Sequence, residues 1–166
     1  YKRQVSYWGR PHDYLWLGTF SPYLLHQQMK LAYDRGIQKM WVLNVGDIKP
    51  AEYQIELFLD MAWNIDEVNE IGVTAHLKSW LGREFGSNCA EELLPAMEAH
   101  YQLSYIRKPE FMGNTREEER DPKYKVIKDL PWSEQTISER LRSYTVLSDV
   151  VERMESNIPA DRQDAY

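Results

Sequence analysis

Residues 36–50, GIQKMWVLNVGDIKP, form the stretch of sequence that decides the fold. Gly36 is typical of a helix end, and Met40 begins a short continuous apolar run like those of parallel strands covered on both faces. Polar residues follow at once, and Pro50 suits the first turn of another helix. Because ligands of α/β proteins bind at the carboxyl ends of parallel strands, this pattern predicts a binding site after the strand.

A second strand and a helix are predicted before this stretch. Residues 4–8 have the composition of a short strand, and Ser21 and Pro22 suit the N-cap and first position of a helix that continues to about Arg35. Strand, helix and strand in this order predict a βαβ unit with parallel strands. With the helix that follows Pro50, the first part of the chain is a βαβα segment that ends near residue 63.

The remainder of the chain has only helical patterns. Asp66 is predicted to cap a helix that runs to Phe85, Asn88 to cap the next helix, and Ser133 to cap the last. In the last helix an apolar stripe follows the helical period and predicts the buried face: Ile137, Leu141, Tyr144, Leu147, Val151 and Met154. Long helices with short links are typical of a bundle, which we expect over residues 64–166.

Composition excludes several classes of function. The chain has 166 residues, a hydrophobic content of 43% and a net charge of −6, which together argue for a packed core and against binding to a nucleic-acid backbone. No apolar run approaches the length of a membrane span. A single cysteine, Cys89, excludes an internal disulfide and a cysteine metal cage, but it does not fix the compartment.

Both ends of the chain have the character of cut ends. The sequence opens YKRQVSYWG, and its last residue, Tyr166, follows no stopping signal. Two strands alone cannot make a parallel sheet that is buried on both faces. We therefore expect a fragment of a longer protein, with the missing strands encoded before Tyr1.

Polar residues at the two strand ends are the best candidates for chemistry. Tyr7 and Arg10 follow the first strand, and Asn44, Asp47 and Lys49 follow the second. Tyr and Asn can read sugar hydroxyls, whereas Arg and Lys pair with carboxylates. Structural roles stay open for each: a core position for Tyr7, solvent exposure for the cations, strand termination for Asn44, and helix capping for Asp47. The four histidines show no metal-ligand spacing, and no general catalytic motif is present.

Longer motifs carry a family resemblance. PHDYLWLGT at residues 11–19 and LLHQQMKLAYDRGIQKMWVLNVGDIKPAEYQIELFLDMAWN at residues 24–64 resemble the xylan α-1,2-glucuronidases of glycoside hydrolase family 115. The resemblance extends over nearly the whole chain, through WLGREFG and the closing IPADRQDAY. It implies an α/β fold, with residues 1–63 as the last βα units of a (β/α)8 barrel and residues 64–166 as a helical bundle domain.

The resemblance also implies an activity. Such enzymes release glucuronic acid or its 4-O-methyl ether from xylan, and we expect an inverting acid/base mechanism without a cofactor or metal. The implied partner is glucuronoxylan or another glycan that carries uronic acid, with no nucleic acid or membrane partner. A homodimer and a periplasmic or secreted location are further expectations from the family.

The site residues implied by the resemblance are Gln4, Tyr7, Asn44 and Asp47, all as substrate contacts. Family members usually carry His-x-Asp-Tyr on the first strand, and here Tyr7 matches while Gln4 replaces the His and Ser6 replaces the Asp. Asn44 matches an Asn that lines the uronic-acid pocket. The catalytic residues remain unknown, because the general acid is expected before Tyr1.

The replacements at Gln4 and Ser6 leave three readings open. The pocket is rearranged for another uronide, or activity is lost and the protein only binds glycans, or the segment serves as scaffold and oligomer surface. The retained Tyr7 and Asn44 favour altered specificity.

Overall fold

The computed structural model describes residues 2–7, 17–109 and 131–165. Within these ranges it has two strands, six α-helices and two short 3-10 turns, at Lys49–Ala51 and Ala160–Ala165. In chain order the strands and helices are β1 (Lys2–Ser6), α1 (Pro22–Asp34), β2 (Met40–Asn44), α2 (Glu52–Trp63), α3 (Ile65–Ile71), α4 (Val73–Phe85), α5 (Ser87–Ile106) and α6 (Glu134–Glu155).

The two strands pair in parallel, as the βαβ pattern predicts. Val5 lies opposite Leu43, and Ser6 lies opposite Asn44. The pairing continues one residue further, because the main-chain N–H of Tyr7 donates to the carbonyl of Asn44 over 3.2 Å. β1 lies earlier than the predicted residues 4–8, and β2 matches its predicted start at Met40. The parallel arrangement and the connecting helix are confirmed.

The sheet has two different faces because successive side chains of a strand alternate between them. Val5, Trp41 and Leu43 pack against the hydrophobic core that the helices form. On the opposite face Gln4 is exposed and Asn44 is half-buried. Gln4 and Asn44 therefore lie on the face that points away from the helical core.

Local signals explain α1. Ser21 has extended backbone geometry, and its side chain accepts from the N–H of Leu24 over 3.4 Å, while Pro22 occupies the first turn. Leu25 and Met29 are buried toward the core. The predicted helix is confirmed, because its start and end are set by residues adjacent in sequence.

The helix predicted from Asp66 to Phe85 is wrong in two respects. Its N-cap is Asn64, whose side chain accepts from the N–H of Glu67 over 3.3 Å. The helix is also divided into α3 and α4 at Gly72, which has φ 82° and ψ 152°. Only glycine adopts that conformation readily, so the apolar pattern continues across a break in the backbone.

Helix α5 starts at Ser87 and takes Gly86 as its N-cap without a side-chain cap, so the predicted capping role of Asn88 is wrong. Helix α6 begins after Ser133, whose hydroxyl accepts from the N–H of Thr136 over 3.1 Å, as predicted. The predicted buried stripe of α6 is confirmed only in part: Met154 is buried, whereas Ile137, Leu141 and Val151 are exposed, Leu141 by 68%.

Arg140 supplies much of the α6 contact instead. It is buried, and its guanidinium donates to the carbonyl of Leu103 over 3.0 Å and to that of Arg107 over 2.5 Å. The Leu103 carbonyl lies in the last turn of α5, where it also accepts from the N–H of Arg107 over 3.2 Å, and Arg107 is the residue that caps this helix. Tyr144 completes the contact by accepting from Arg140 over 3.1 Å. Arg140 therefore adds a polar contact to the apolar ones that α6 makes through Met154.

The described part of the chain is mostly helical with a small two-stranded sheet. One hydrophobic cluster joins both halves of the sequence and includes Leu25, Leu57, Leu77 and Met154. The division at residues 63 and 64 into barrel and bundle therefore stays a prediction. Within the described ranges, no helix has the length and apolarity needed to cross a membrane.

Candidate functional site

The carboxyl ends of β1 and β2 bring two polar side chains together. Asn44 is the last residue of β2, and its amide nitrogen Nδ2 donates to the hydroxyl of Ser6 over 3.3 Å. Gln4 lies one pleat earlier on β1, opposite Val42, with an exposed side chain. Alternation places Gln4, Ser6 and Asn44 on the same face of the sheet. The sequence-predicted residues Gln4 and Asn44 thus form a polar strip that ends at the strand termini.

Asp47 follows in the turn after β2 and is half-buried. The alternative role considered for it, helix capping, is wrong. The 3-10 turn Lys49–Ala51 has Ile48 at its N-cap, and neither this turn nor α2 has a side-chain cap hydrogen bond. Lys49 already has an acidic partner in the protein, since its Nζ lies 3.3 Å from a carboxylate oxygen of Glu52. Arg10 lies outside the described residues.

Tyr7 points the other way. Its ring is buried beside Phe20, with ring centroids 4.9 Å apart, and its hydroxyl donates to the main-chain carbonyl of Gln54 over 2.5 Å. Burial raises the pKa of the Tyr7 phenol above its ordinary value of 10.0. Tyr7 and Asn44 are both predicted to contact substrate, yet their side chains lie on opposite faces of the sheet. Tyr7 follows Ser6, the residue opposite Asn44, and successive strand positions alternate between the faces. The assignment of the four residues to substrate stays a prediction.

Gln54 is a structural residue that sequence reasoning missed. Its side-chain nitrogen Nε2 lies within hydrogen-bond distance of the carbonyl of Phe20 and of the hydroxyl of Tyr101, at 3.2 Å in each case. A third contact reaches the carbonyl of Gly18 over 3.4 Å. Gln54 is only 2% exposed, so these bonds are made away from water. A polar residue inside an apolar helical stripe is the one sequence signal that could have revealed it.

Three potential metal ligands also come together outside the strand ends. One side-chain ligand atom from each of Glu56, Asp60 and His76 lies within 4.8 Å of the others. In the structure each already has a partner: Nε2 of His76 is 3.0 Å from Oδ2 of Asp60, and Arg83 donates to both carboxylate oxygens of Glu56 over 2.5 and 2.7 Å. Because the Arg83 guanidinium already binds both carboxylate oxygens of Glu56, we assign no metal to this cluster.

Comparison with known proteins identifies the family. The model of glycosyl hydrolase family 115 matches residues 3–111, which is more than half of the chain. The chain belongs to glycosyl hydrolase family 115. No curated protein matches the chain.

A solved structure extends this family 115 assignment over the remainder of the chain. It is a family 115 4-O-methyl-α-glucuronidase described as having specificity for decorated arabinogalactans. The two share 67% sequence identity with a TM-score of 0.90, and the match covers 99% of this chain. The chain spans 22% of the length of that protein. The family resemblance predicted from the motifs is therefore confirmed.

Proposed function

We propose that this family 115 chain is part of a glycoside hydrolase that releases glucuronic acid or 4-O-methylglucuronic acid from the side chains of a polysaccharide. The observation that carries the proposal is the 67% identity, over 99% of the chain, to a 4-O-methyl-α-glucuronidase. Identity of this level over helices, sheet and connections together supports a shared architecture of the longer proteins. The activity belongs to that longer protein, since the chain spans only 22% of its neighbour.

The proposed architecture is the end of a (β/α)8 barrel, residues 1–63, followed by a helical bundle, residues 64–166. The β1-α1-β2-α2 order and the parallel register support it. In such a barrel one face of each strand meets the helices and the other faces the interior. The split between Val5, which packs on the core, and Gln4, which is exposed, fits that arrangement.

Asn44 is the residue we favour most strongly as a substrate contact. It combines a position at the carboxyl end of a strand with an amide that donates and accepts, which suits the hydroxyls of a uronic acid. Ser6 fixes the orientation of that amide through the 3.3 Å hydrogen bond. Gln4 and Asp47 complete the proposed contacts. Tyr7 is better suited to support the strand end from behind, because its hydroxyl is already bonded to Gln54.

Inverting hydrolysis needs one carboxylic acid to protonate the leaving oxygen and one base to activate water on the opposite face of the sugar. Gln4 can serve as neither, because its amide does not titrate. We propose that both groups come from strands of the longer protein, while this chain orients the uronic acid through Asn44. No cofactor or metal is part of the proposed mechanism.

Decorated arabinogalactan is the substrate class we favour, because the 67% identical neighbour is described by that specificity. Glucuronoxylan is the second candidate, from the broader family resemblance. The replacement of His and Asp by Gln4 and Ser6 fits a pocket adapted away from the usual xylan substrate. A protein that binds the glycan without hydrolysing it is the alternative, favoured by the same loss of a titratable group at Gln4.

The test is an assay of the full-length protein on decorated arabinogalactan and on glucuronoxylan, with the released sugar identified by mass spectrometry. We expect 4-O-methylglucuronic acid or glucuronic acid from at least one polymer, with the larger kcat/KM on arabinogalactan. Binding to both polymers without any released uronic acid would replace the hydrolase proposal by the glycan-binding one.

Two expectations from the family complete the proposal: a homodimer and a periplasmic or secreted location. Light scattering of the full-length protein measures its mass in solution, and cell fractionation of the native host gives its location. A monomer at micromolar concentration, or recovery only from the cytoplasmic fraction, would contradict the respective expectation.

A further inference from the structure

A second concave site lies on the helical side of the molecule, among α1, α4 and α5. It is an open cleft of about 680 Å³. Its lining is rich in tyrosine, amide and hydroxyl groups and consists, in the described part of the chain, of Ser21, Tyr23, Leu24, Gln27, Thr74, Glu98, Tyr101, Gln102 and Tyr105. None of these residues belongs to the strand-end site described above.

The polar centre of the cleft is a carboxylate held by two hydroxyls. Thr74 donates from Oγ1 to Oε1 of Glu98 over 2.9 Å, and the Tyr23 hydroxyl donates to the same oxygen. The two hydroxyl oxygens are 3.0 Å apart, so three side chains from three helices fix one another. Burial, followed by the hydrogen bond to Glu98, raises the pKa of Tyr23. Both of these hydrogen bonds use Oε1 of Glu98, and Glu98 itself is half-buried in the lining of the cleft.

The groups around this centre suit a sugar ring. Tyr105 is 68% exposed and offers an aromatic face, the surface on which the apolar face of a sugar packs. Gln27 and Gln102 are exposed amides that both donate and accept. No lysine, arginine or histidine is among the described lining residues, and Glu98 supplies negative charge. The lining therefore disfavours an anionic ligand such as a uronic acid and favours a neutral sugar.

The position of the cleft connects it to the strand ends. α1 ends at Asp34, close in sequence to Met40 where β2 begins, so the start of α1 lies at the opposite end of the layer, where the strands terminate. Gln54 near the start of α2 bonds the carbonyl of Phe20, which directly precedes α1. Gly18 lies so close to Pro50 that a Cβ at position 18 would be 2.5 Å from the Pro50 carbonyl oxygen.

We propose that this cleft is an outer glycan subsite that binds a neutral sugar of the polysaccharide whose uronic-acid side chain reaches the strand-end site. The link to a polysaccharide rests on the proposed function, whereas binding of a neutral sugar stands on the cleft alone. Tyr105 packs against the ring, and Gln27 and Gln102 bond its hydroxyls. The Glu98 carboxylate, which Thr74 and Tyr23 hold in place, accepts from a further sugar hydroxyl through Oε2.

Direct binding tests the cleft. The full-length protein is titrated calorimetrically with neutral β-1,3-galactotetraose and β-1,4-xylotetraose, in the presence of saturating 4-O-methylglucuronic acid to occupy the strand-end site. We expect Tyr105→Ala and Gln102→Ala each to weaken tetrasaccharide binding about tenfold. Trp63→Ala is the matched control, because Trp63 is a 90% exposed aromatic residue outside the cleft. Affinity unchanged in both cleft variants, or no binding of either tetrasaccharide by the parent protein, would overturn the proposal.

Kinetics separate this proposal from the proposed activity. In Tyr105→Ala the ratio of kcat/KM on polymer to kcat/KM on a small aryl glucuronide should fall about tenfold, since only the polymer reaches the outer subsite. Full-length protein that hydrolyses no glucuronide disproves the activity, and the calorimetric comparison then still decides the cleft. If Tyr105→Ala leaves both the kcat/KM ratio and tetrasaccharide binding unchanged, the outer subsite is rejected and the proposed hydrolase activity is unaffected.

Discussion

The hydroxyl of Tyr7 donates a 2.5 Å hydrogen bond to the main-chain carbonyl of Gln54, so the end of β1 is tied to the first turn of α2. The side chain of Gln54 continues the connection to Phe20 and Tyr101. The strand end that carries the candidate site is thus supported from its helical side by one buried polar network. This support is the reason to treat Tyr7 as a structural residue.

Tyr7→Phe should reduce stability more than it changes substrate affinity. The substitution removes the hydroxyl and its buried hydrogen bond to the Gln54 carbonyl, which keeps its bond within α2, so the free energy of unfolding should fall by about 0.5–1.5 kcal/mol. The free energy of unfolding from urea titration measures the effect. Tyr105→Phe is the control, since Tyr105 is 68% exposed, and its stability should stay within about 0.5 kcal/mol of the parent. Equal stability of the Tyr7 variant, combined with a raised KM, would return Tyr7 to the substrate pocket.

Arg140→Lys should destabilise the α5–α6 contact. The guanidinium bonds two main-chain carbonyls and lies over the rings of Trp132 and Tyr144, with its Cζ 5.5 and 5.1 Å from their centroids. An ammonium group cannot reproduce this planar fork, so the free energy of unfolding should fall by about 1–3 kcal/mol. Arg142→Lys, at an exposed position of the same helix, should be nearly neutral. Equal decreases in the free energy of unfolding of the two variants would show that the Arg140 contact does not stabilise the protein.

Acid should destabilise the protein through His100. Burial lowers the pKa of His100 below 6.5, and its Nε2 lies 3.2 Å from the carbonyl of Leu17. A lowered folded-state pKa means that the unfolded chain binds the proton more readily. The free energy of unfolding therefore decreases as the pH falls from about 6.5 toward the folded-state pKa, and it is unaffected by this group above 7.5.

The substitution His100→Gln checks this pH dependence. It keeps a donor for the Leu17 carbonyl but removes the titration, so the loss of stability between pH 7.5 and pH 5 should be smaller than in the parent. Urea unfolding at both pH values measures the difference. His26, whose pKa burial also lowers, remains as a background contribution of the same sign in both proteins. An identical pH dependence in parent and variant would exclude His100 as the source.

On the proposed function, Asn44→Ala should impair turnover of a uronide by the full-length protein. Loss of the amide leaves sugar hydroxyls without partners and releases Ser6 from its 3.3 Å contact, so kcat/KM on the uronide should fall by the equivalent of about 1–3 kcal/mol. The control is Gln135→Ala, on an exposed position of α6. Kinetic constants equal to those of the parent would reduce Asn44 to a strand terminator.

The double substitution Gln4→His with Ser6→Asp tests altered specificity. It restores the pattern usual in the family but removes the hydroxyl that orients Asn44. We expect kcat/KM on decorated arabinogalactan to fall and the ratio of glucuronoxylan to arabinogalactan turnover to rise, measured on the full-length protein. A gain on both polymers would indicate instead that Gln4 and Ser6 mark a loss of catalytic power.

Sequence alone determined the β1-α1-β2 order, because its signals are local. Ser21, Pro22 and Gly36 delimit α1 through their own backbone preferences, and the apolar run at Met40 forms β2 with hydrogen bonds that any parallel neighbour can supply. The family could also be predicted from the sequence, because its long motifs are visible without any knowledge of the fold.

Tertiary structure alone decided where the side chains act. Tyr7 and Asn44 are both polar residues at strand ends. Because Tyr7 lies one residue beyond the position opposite Asn44, its phenol lies in the core, whereas the amide of Asn44 lies on the open face. Arg140 is buried in a charged contact because it bonds the carbonyls of Leu103 and Arg107, which are distant from it in sequence. The cleft around Glu98 is formed where three helices meet, so no local sequence pattern could predict it.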